Sequence, residues 1–272
     1  MDLLYITWSV KPQIFEIGWF QLRWYGLLFA GAFIAGNYLM GKMFKHDGVP
    51  DIWLDKILIY VLIGTVVGAR FGHVFFYDWA YYSQNLDEIL MVWKGGLASH
   101  GAAVGIILAT WLFSRNVSHK PTLWILDRVV IVVALSGLFI RVGNLMNSEI
   151  IGIPTDVPWA FVFTHVDNLP RHPAQLYEAI ADTLVFLFLN YSFYNKNSDK
   201  KIGWSFGMFL ILVFGSRFFI EYFKTSQGGF ESALGYFTTG QWLSIPFALA
   251  GFYFVWKANR DYSKLKTASL EK

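Results

Sequence analysis

Seven stretches of the chain are predominantly apolar over a length that can cross a lipid bilayer. A membrane-spanning helix needs about 20 mostly apolar residues, and each stretch comes close to that length. The pattern therefore predicts an all-α, polytopic membrane protein with seven transmembrane helices. The predicted spans are residues 24–41, 56–77, 95–114, 123–142, 175–194, 202–222 and 241–257.

The composition narrows the class of protein further. Of the 272 residues, 55% are hydrophobic and 15% are charged, whereas an ordinary soluble domain carries roughly 25% charged residues. This balance excludes a disordered chain and argues against a soluble enzyme. The absence of cysteine excludes disulfides, thiolate metal sites and a cysteine nucleophile. A net charge of +3 is too small to indicate a nucleic-acid partner.

Lysine and arginine are distributed unevenly between the two sets of connections. One set, which includes the C-terminal tail, holds eleven of them and the alternate set holds five, so the positive-inside rule predicts an external N-terminus and a cytoplasmic C-terminus. The first 18 residues lack a basic region and a cleavage site, so the first span is expected to direct insertion. We predict one transmembrane catalytic domain, residues 1–272, with external loops 78–94 and 143–174.

Small residues four apart are typical of helices that pack closely in membranes. We expect such packing at Gly64 and Gly68, at Gly101 and Gly105, and at Gly203 and Gly207.

Polar side chains recur at one end of the predicted spans. Charged residues inside a membrane cost about 2.5–3.5 kcal/mol on insertion scales and tend to be functional. The topology brings all of them to the level of the outer leaflet, where one pocket could hold them. They are Arg70, Arg141 and Arg217 near the ends of outward-running spans, and Tyr25, His100, Glu178 and Gln241 near the starts of inward-running ones.

The three arginines allow two interpretations. A single arginine at this depth can extend its guanidinium to the headgroups. Three arginines on the side that the positive-inside rule disfavours indicate instead an anionic lipid headgroup, because guanidinium binds phosphate through two hydrogen bonds. Arg217 and Glu221 are four residues apart and can pair on one helix face.

Histidine is the natural base near neutral pH. His100 lies between Gly95, Gly96 and Gly101 at the level of the arginines, while His73 and His172 are rivals at the same level. No zinc-protease, nucleophile-elbow or nucleotide-binding motif is present. The sequence therefore favours acid–base chemistry on a lipid, with no cofactor and no metal.

The segment RVGNLMNSEIIG, residues 141–152, resembles the signature of the prolipoprotein diacylglyceryl transferase family. Four further blocks match in order: RWYG with Tyr25, GGLASHGA with His100, RHPAQLYEA with His172, Gln175 and Glu178, and SRFFIEYF with Arg217 and Glu221, followed by GQWLSIP with Gln241. The chain departs from the family at Ile140, Leu145, Ala102 and Val213. The last matters most, because the family often carries a tyrosine there.

The resemblance implies a specific reaction at the bacterial cytoplasmic membrane, with the active site facing the outer leaflet. The family moves the diacylglyceryl group of phosphatidylglycerol to the lipobox cysteine of a prolipoprotein signal peptide, forming a thioether and releasing glycerol phosphate. It implies catalytic roles for His100, Arg141 and Arg217. The expected substrate-binding residues are Arg141, Tyr25, Arg70, Asn144, Asn147, Glu149, Gly152, His172, Gln175, Glu178, Glu221 and Gln241.

Two other classes of function are compatible with intramembrane arginines. A transporter for an anionic solute would use them, although such proteins often carry inverted repeats and none is visible here. A non-catalytic lipid-binding protein would also use them, and Val213 would then reflect lost activity.

Overall fold

The computed structural model of the protein describes residues 5–17, 20–225 and 236–270, and most of this backbone is helical. The short strands are β1 (Ile6–Trp8), β2 (Gln13–Ile17), β3 (Phe20–Arg23), β4 (Phe161–Phe163) and β5 (Pro170–Arg171). The helices are α1 (Trp24–Asp47), α2 (Ile52–Phe76), the four-residue α3 (Trp79–Tyr82), α4 (Ser99–Phe113), α5 (Thr122–Met146), α6 (Ala174–Asn195), α7 (Trp204–Ile220) and α8 (Thr239–Leu270).

Each of the seven predicted spans overlaps one of the seven helices of 15 or more residues that lie in the described parts of the chain. Four of these, α1, α2, α5 and α7, are long and apolar enough to cross a membrane. The class of an all-α membrane protein is thereby confirmed, whereas seven crossings and the orientation of the termini stay predictions. Helix α1 shows how the chain sets a boundary: Gly48 has φ +65°, and its N–H and that of Val49 bond back to carbonyls of the last turn.

Two small sheets that the apolar pattern does not predict accompany the helices. Strands β2 and β3 form an antiparallel hairpin, while β1 pairs in parallel with β4, which pairs antiparallel with β5. The indole N–H of Trp8 donates to the carbonyl of Leu145 at 3.1 Å. This bond and the contacts of Leu145 with Phe161 and Phe163 fix the sheet beside the C-terminal end of α5.

The chain divides into two compact units, one of residues 37–128 and the other of residues 1–36 with 129–272. In the first unit, glycines bring α2 and α4 into backbone contact. A Cβ atom on Gly64 would lie 2.6 Å from the carbonyl oxygen of Gly105, and one on Gly101 would lie 2.7 Å from the Cα of Gly72. The predicted close packing is therefore confirmed for the glycine pairs of α2 and α4.

The third predicted glycine pair divides between two roles. Gly207 of α7 packs against Gly251 of α8, where an added Cβ would lie 2.8 Å from a carbonyl oxygen. Gly203 instead precedes α7 with φ +91°, a conformation that favours glycine over residues with a Cβ. Close helix packing is thus right for Gly207, and Gly203 serves the turn that starts the helix.

We expect Gly101→Val to destabilise the first unit by about 1–3 kcal/mol, the usual cost of overpacking. The added side chain would strike the carbonyl oxygen of Gly68 and force α2 and α4 apart. The melting temperature in detergent measures the loss. Gly215→Ala is the matched control, because nothing lies within 4 Å of that glycine's Cβ position. An unchanged melting temperature for the Gly101 variant would contradict this packing.

Candidate active site

Arg141 is the central cation of the second unit, near the C-terminal end of α5. Its Nε lies 3.1 Å from Oε2 of Glu178 on α6, and its side chain keeps 20% of its exposure against 6% for the glutamate. Nη1 donates to Oδ1 of Asn144 at 3.4 Å. The guanidinium is therefore anchored along one edge while part of it stays accessible.

A strained turn follows α5 and carries Glu149. The side-chain amides of Asn144 and Asn147 donate to the two oxygens of its carboxylate at 3.2 and 3.1 Å. Ser148 and Ile150, which flank it, have φ values of 54° and 56°. A positive φ is uncommon for residues other than glycine, and it is especially unusual for a β-branched residue such as Ile150. Such strain persists where surrounding contacts impose it, and it clusters at functional sites. Both asparagines thus hold the Glu149 carboxylate in place.

Gln175 and Gly152 complete this turn. The Gln175 amide donates to the carbonyl oxygen of Glu149 at 2.5 Å, and the side chain is fully buried. A Cβ on Gly152 would lie 2.6 Å from the Cβ of His172 and from the carbonyl oxygen of Phe223. Glycine at this position lets three segments of backbone meet, so its described role is packing.

The four-residue spacing predicted a pair between Glu221 and Arg217, but Glu221 pairs with Lys224 instead. Its Oε2 lies 3.1 Å from Nζ of Lys224, and Lys224 also lies 3.3 Å from Oε1 of Glu178. Gly240 leaves room for the carboxylate, because a Cβ there would come within 2.5 Å of it. The described ion pairs therefore run from Arg141 through Glu178 and Lys224 to Glu221.

Arg217 is half-buried on α7 and has no hydrogen-bond or ion-pair partner among the described residues. It interacts electrostatically with Asp182 on α6, whose carboxylate also interacts electrostatically with Arg141 and Glu178. Asp182 packs against Gly137, whose Cβ position lies 2.8 Å from its Cγ. The sequence reading missed Asp182, although a carboxylate within a predicted span was a visible signal.

Two other predicted residues have structural contacts. Gln241 and Thr238 form a capping box at the start of α8: Gln241 N–H donates to Thr238 Oγ1 at 3.3 Å, and Thr238 N–H donates to Gln241 Oε1 at 3.0 Å. The Gln241 amide also donates to the carbonyl of Phe218 at 3.1 Å. Tyr25 packs its ring against Gly143, with 2.8 Å between Cδ2 and the glycine's Cβ position.

His172 is buried just before α6, and its ring contacts the rings of Tyr177 and Phe223. Its Nδ1 lies 3.0 Å from the Tyr177 hydroxyl, which accepts a hydrogen bond from Trp159 Nε1 at 2.8 Å. The hydroxyl can accept from the indole and donate its own hydrogen to Nδ1, an arrangement compatible with a neutral imidazole protonated on Nε2. Burial lowers the pKa of His172 below its ordinary 6.5, so the folded protein favours neutral imidazole.

We expect His172→Gln to reduce the loss of stability in acid. Since the unfolded chain has the higher His172 pKa, unfolding takes up a proton once the pH falls below about 6.5. The contribution of neutral His172 to the free energy of unfolding is fully present above about pH 6.5, and it is lost as the pH falls toward the pKa of His172 in the folded protein. Melting temperatures in detergent at about pH 8 and about pH 5 test this. Between these pH values, the melting temperature of His172→Gln should fall less than that of the wild type. The control His165→Gln, at an exposed histidine, should fall as much as the wild type. An equal fall in His172→Gln would contradict the prediction.

Arg70 lies in the other unit and is only 2% exposed. It donates to the carbonyls of Ile89, Gly95 and Glu88 at 2.6–2.8 Å. Its guanidinium also stacks 4.8 Å from the ring centre of Tyr82. The described contacts of Arg70 therefore hold the predicted external loop 78–94, and they leave little of its hydrogen-bonding capacity for a lipid.

His100 lies in the first turn of α4 and is exposed. The loop before it depends on Gly95 and Gly96, with φ values of 86° and 70°. A Cβ on Gly96 would lie 2.5 Å from the His73 ring, so the loop packs directly on that histidine. His73 itself stacks on Tyr77 at 6.0 Å between ring centres. Of His73 and His100, His100 is the more accessible.

Together, apolar helices and a chain of buried ionic side chains define the class: an all-α membrane protein with a polar site in one of its units. The family model for prolipoprotein diacylglyceryl transferase matches residues 12–257. The chain belongs to the prolipoprotein diacylglyceryl transferase family.

Three similar bacterial proteins are each named phosphatidylglycerol–prolipoprotein diacylglyceryl transferase. The protein of Tolumonas auensis is 48% identical over 90% of this chain and 95% of its own length. The protein of Chloroherpeton thalassium is 44% identical over 98% of this chain and 97% of its own length. The protein of Porphyromonas gingivalis is 42% identical over 81% of this chain and 82% of its own length. The similarity therefore extends over most of the chain.

Proposed function

We propose that this protein transfers the diacylglyceryl group of phosphatidylglycerol to the lipobox cysteine of a prolipoprotein. Its site carries the proposal. Within a member of this family, half-buried Arg141 and Arg217 lie on apolar helices, and Arg217 forms no hydrogen bond or ion pair with the residues that the structure describes. A guanidinium in such surroundings is suited to the phosphate of a lipid, since charge-assisted hydrogen bonds gain strength where water is excluded.

The proposed location is the bacterial cytoplasmic membrane, with seven spans and an external N-terminus. The eleven-to-five excess of basic residues supports this orientation. The polar ends of the spans then face the outer leaflet. A secreted precursor and phosphatidylglycerol would both reach the site at that level.

The reaction exchanges one bond for another at a carbon of the lipid glycerol. The cysteine sulfur forms a C–S bond to the carbon that carries the phosphate, and the C–O bond to the phosphate breaks with its electron pair. The products are a thioether and glycerol phosphate. The thiol proton leaves to a base, and the charge on the departing phosphate needs stabilisation by cations.

His100 is the proposed base. A free thiol has a pKa near 8.5, so only a few per cent is thiolate at neutral pH, and an imidazole near neutrality can accept the proton. His100 is exposed in the first turn of α4. The electropositive N-terminus of that helix also favours a nearby thiolate.

Arg141 and Arg217 are the proposed phosphate ligands. Arg141 is oriented by Glu178 and Asn144, which occupy only part of its guanidinium. Arg217 has all its donors available among the described residues. Asn144, Asn147 and Glu149 form the polar wall that orients Arg141 or contacts the glycerol headgroup.

Purified protein with phosphatidylglycerol and a short lipobox peptide tests the function by mass spectrometry. A diacylglyceryl mass gain on the peptide supports the proposal, and a peptide with serine in place of cysteine should gain nothing. Lipid binding without any gain would identify a non-catalytic lipid-binding protein. Uptake of an anionic solute into proteoliposomes, again without any gain, would identify a transporter.

A further inference from the structure

Lys224 is buried between two carboxylates and has no part in the reaction as described above. Its side chain keeps 5% of its exposure, and Nζ lies 3.3 Å from Glu178 Oε1 and 3.1 Å from Glu221 Oε2. A buried lysine is stable only where anions compensate its charge. The position thus holds one ammonium between a carboxylate of α6 and one that directly follows α7.

The backbone fixes Lys224 against the strained turn. Ile153 N–H donates to the carbonyl of Phe223 at 3.0 Å, and Thr225 N–H donates to the carbonyl of Ile151 at 3.2 Å. The Thr225 hydroxyl adds a bond to the carbonyl of Gly152 at 3.1 Å. Because this ladder holds the chain on both sides of Lys224, the ammonium is placed by the fold rather than by a mobile loop.

Glu178 is shared between two cations. One oxygen faces Lys224 and the other faces Arg141 at 3.1 Å. The carboxylate and a lipid phosphate compete for the same guanidinium, so the strength of the Glu178–Arg141 pair affects the affinity for the lipid. Lys224 draws negative charge away from that pair by binding the opposite oxygen.

We propose that Lys224 is a positioning residue that restrains Glu178 and so leaves the Arg141 guanidinium available to the lipid phosphate. This inference rests on the proposed function. Without Lys224, Glu178 turns its full charge toward Arg141 and displaces the phosphate, which raises the KM for phosphatidylglycerol. With the lysine present, Glu178 orients Arg141 without saturating it.

A double-mutant cycle tests the coupling. Lys224→Met is expected to raise the KM for phosphatidylglycerol about tenfold with a smaller effect on kcat, while Lys224→Arg stays within about threefold of the wild type. In a Glu178→Gln background, Lys224→Met should change KM by less than about threefold, because the carboxylate that competes for Arg141 is absent there. Lys200→Met, at an exposed lysine bonded to Asn197, is the control.

A purely structural lysine predicts a different result. It would lower the melting temperature and alter KM equally in both backgrounds, and that outcome overturns the inference, as does a wild-type KM for Lys224→Met. If the methionine variant does not fold, Lys224→Gln replaces it in the same cycle. Should the wild type bind phosphatidylglycerol but transfer nothing, the proposed function fails. The cycle is then read from the Kd for that lipid in detergent, with the same expected pattern.

Discussion

His100→Ala is expected to lower kcat for peptide lipidation by about 10²–10⁴-fold at neutral pH, the range that general bases contribute. Without the imidazole, the reaction depends on the small fraction of thiol that is already ionised. Activity of the variant should then rise about tenfold per pH unit until the thiol pKa near 8.5. The KM for phosphatidylglycerol should change little, since the lost group acts on the thiol.

His73→Ala and His172→Ala separate the base from its rivals. Both rings are held by neighbours, His73 on Tyr77 and Gly96 and His172 on Tyr177, so their loss should affect stability more than the pH dependence of kcat. Added imidazole should partly restore activity to His100→Ala alone. A wild-type kcat and pH profile in that variant would assign the base elsewhere.

The helices were the predictable part of the fold because each of the long ones contains a long apolar stretch. The predicted spans overlap all seven long helices in the described part of the chain, whereas the five strands found there were not predicted. Strands of two to five residues carry too few positions for an alternating pattern to stand out. The partner of β1 also lies far away in sequence, as for Trp8 and Phe163, and residue spacing gives no access to such pairing.

Candidate residues were easier to predict than their partners. The pairing of Glu221 with Lys224, in place of Arg217, depends on where the chain turns after α7. Arg70 illustrates the same limit: its chemistry suits a phosphate, but the loop brings backbone carbonyls to it. A sequence gives the type of charge, whereas the path of the loops determines which group meets it.

Some missed features had a visible signal. Asp127 and Arg128 lie inside a predicted span, and a buried arginine at that depth demands a partner. Arg128 donates to both carboxylate oxygens of Asp47 at 3.0 and 3.2 Å and stacks 3.8 Å from the ring centre of Trp124. This pair joins the end of α1 to the start of α5 within the first unit, a structural use of charge that span prediction overlooked.

Arg217→Met is expected to lower kcat/KM by about 10²–10³-fold, the usual cost of removing one group that stabilises developing negative charge. Arg217→Lys should retain more activity but stay well below the wild type, because an ammonium cannot match the two parallel hydrogen bonds of guanidinium to phosphate. Initial rates over a range of phosphatidylglycerol concentrations measure both effects.

Stability should move in the opposite direction, and this distinguishes binding from structure. Arg217 is half-buried without a hydrogen-bond or ion-pair partner among the described residues, so its desolvation is offset by the longer-range attraction to Asp182 and by no direct contact there. Replacing it by methionine should keep or raise the melting temperature in detergent while activity falls. Arg260→Met, at an exposed arginine paired with Asp261, should leave activity unchanged. If Arg217→Met lost stability and activity together, the arginine would be a structural element, and phosphate binding would fall to Arg141 alone.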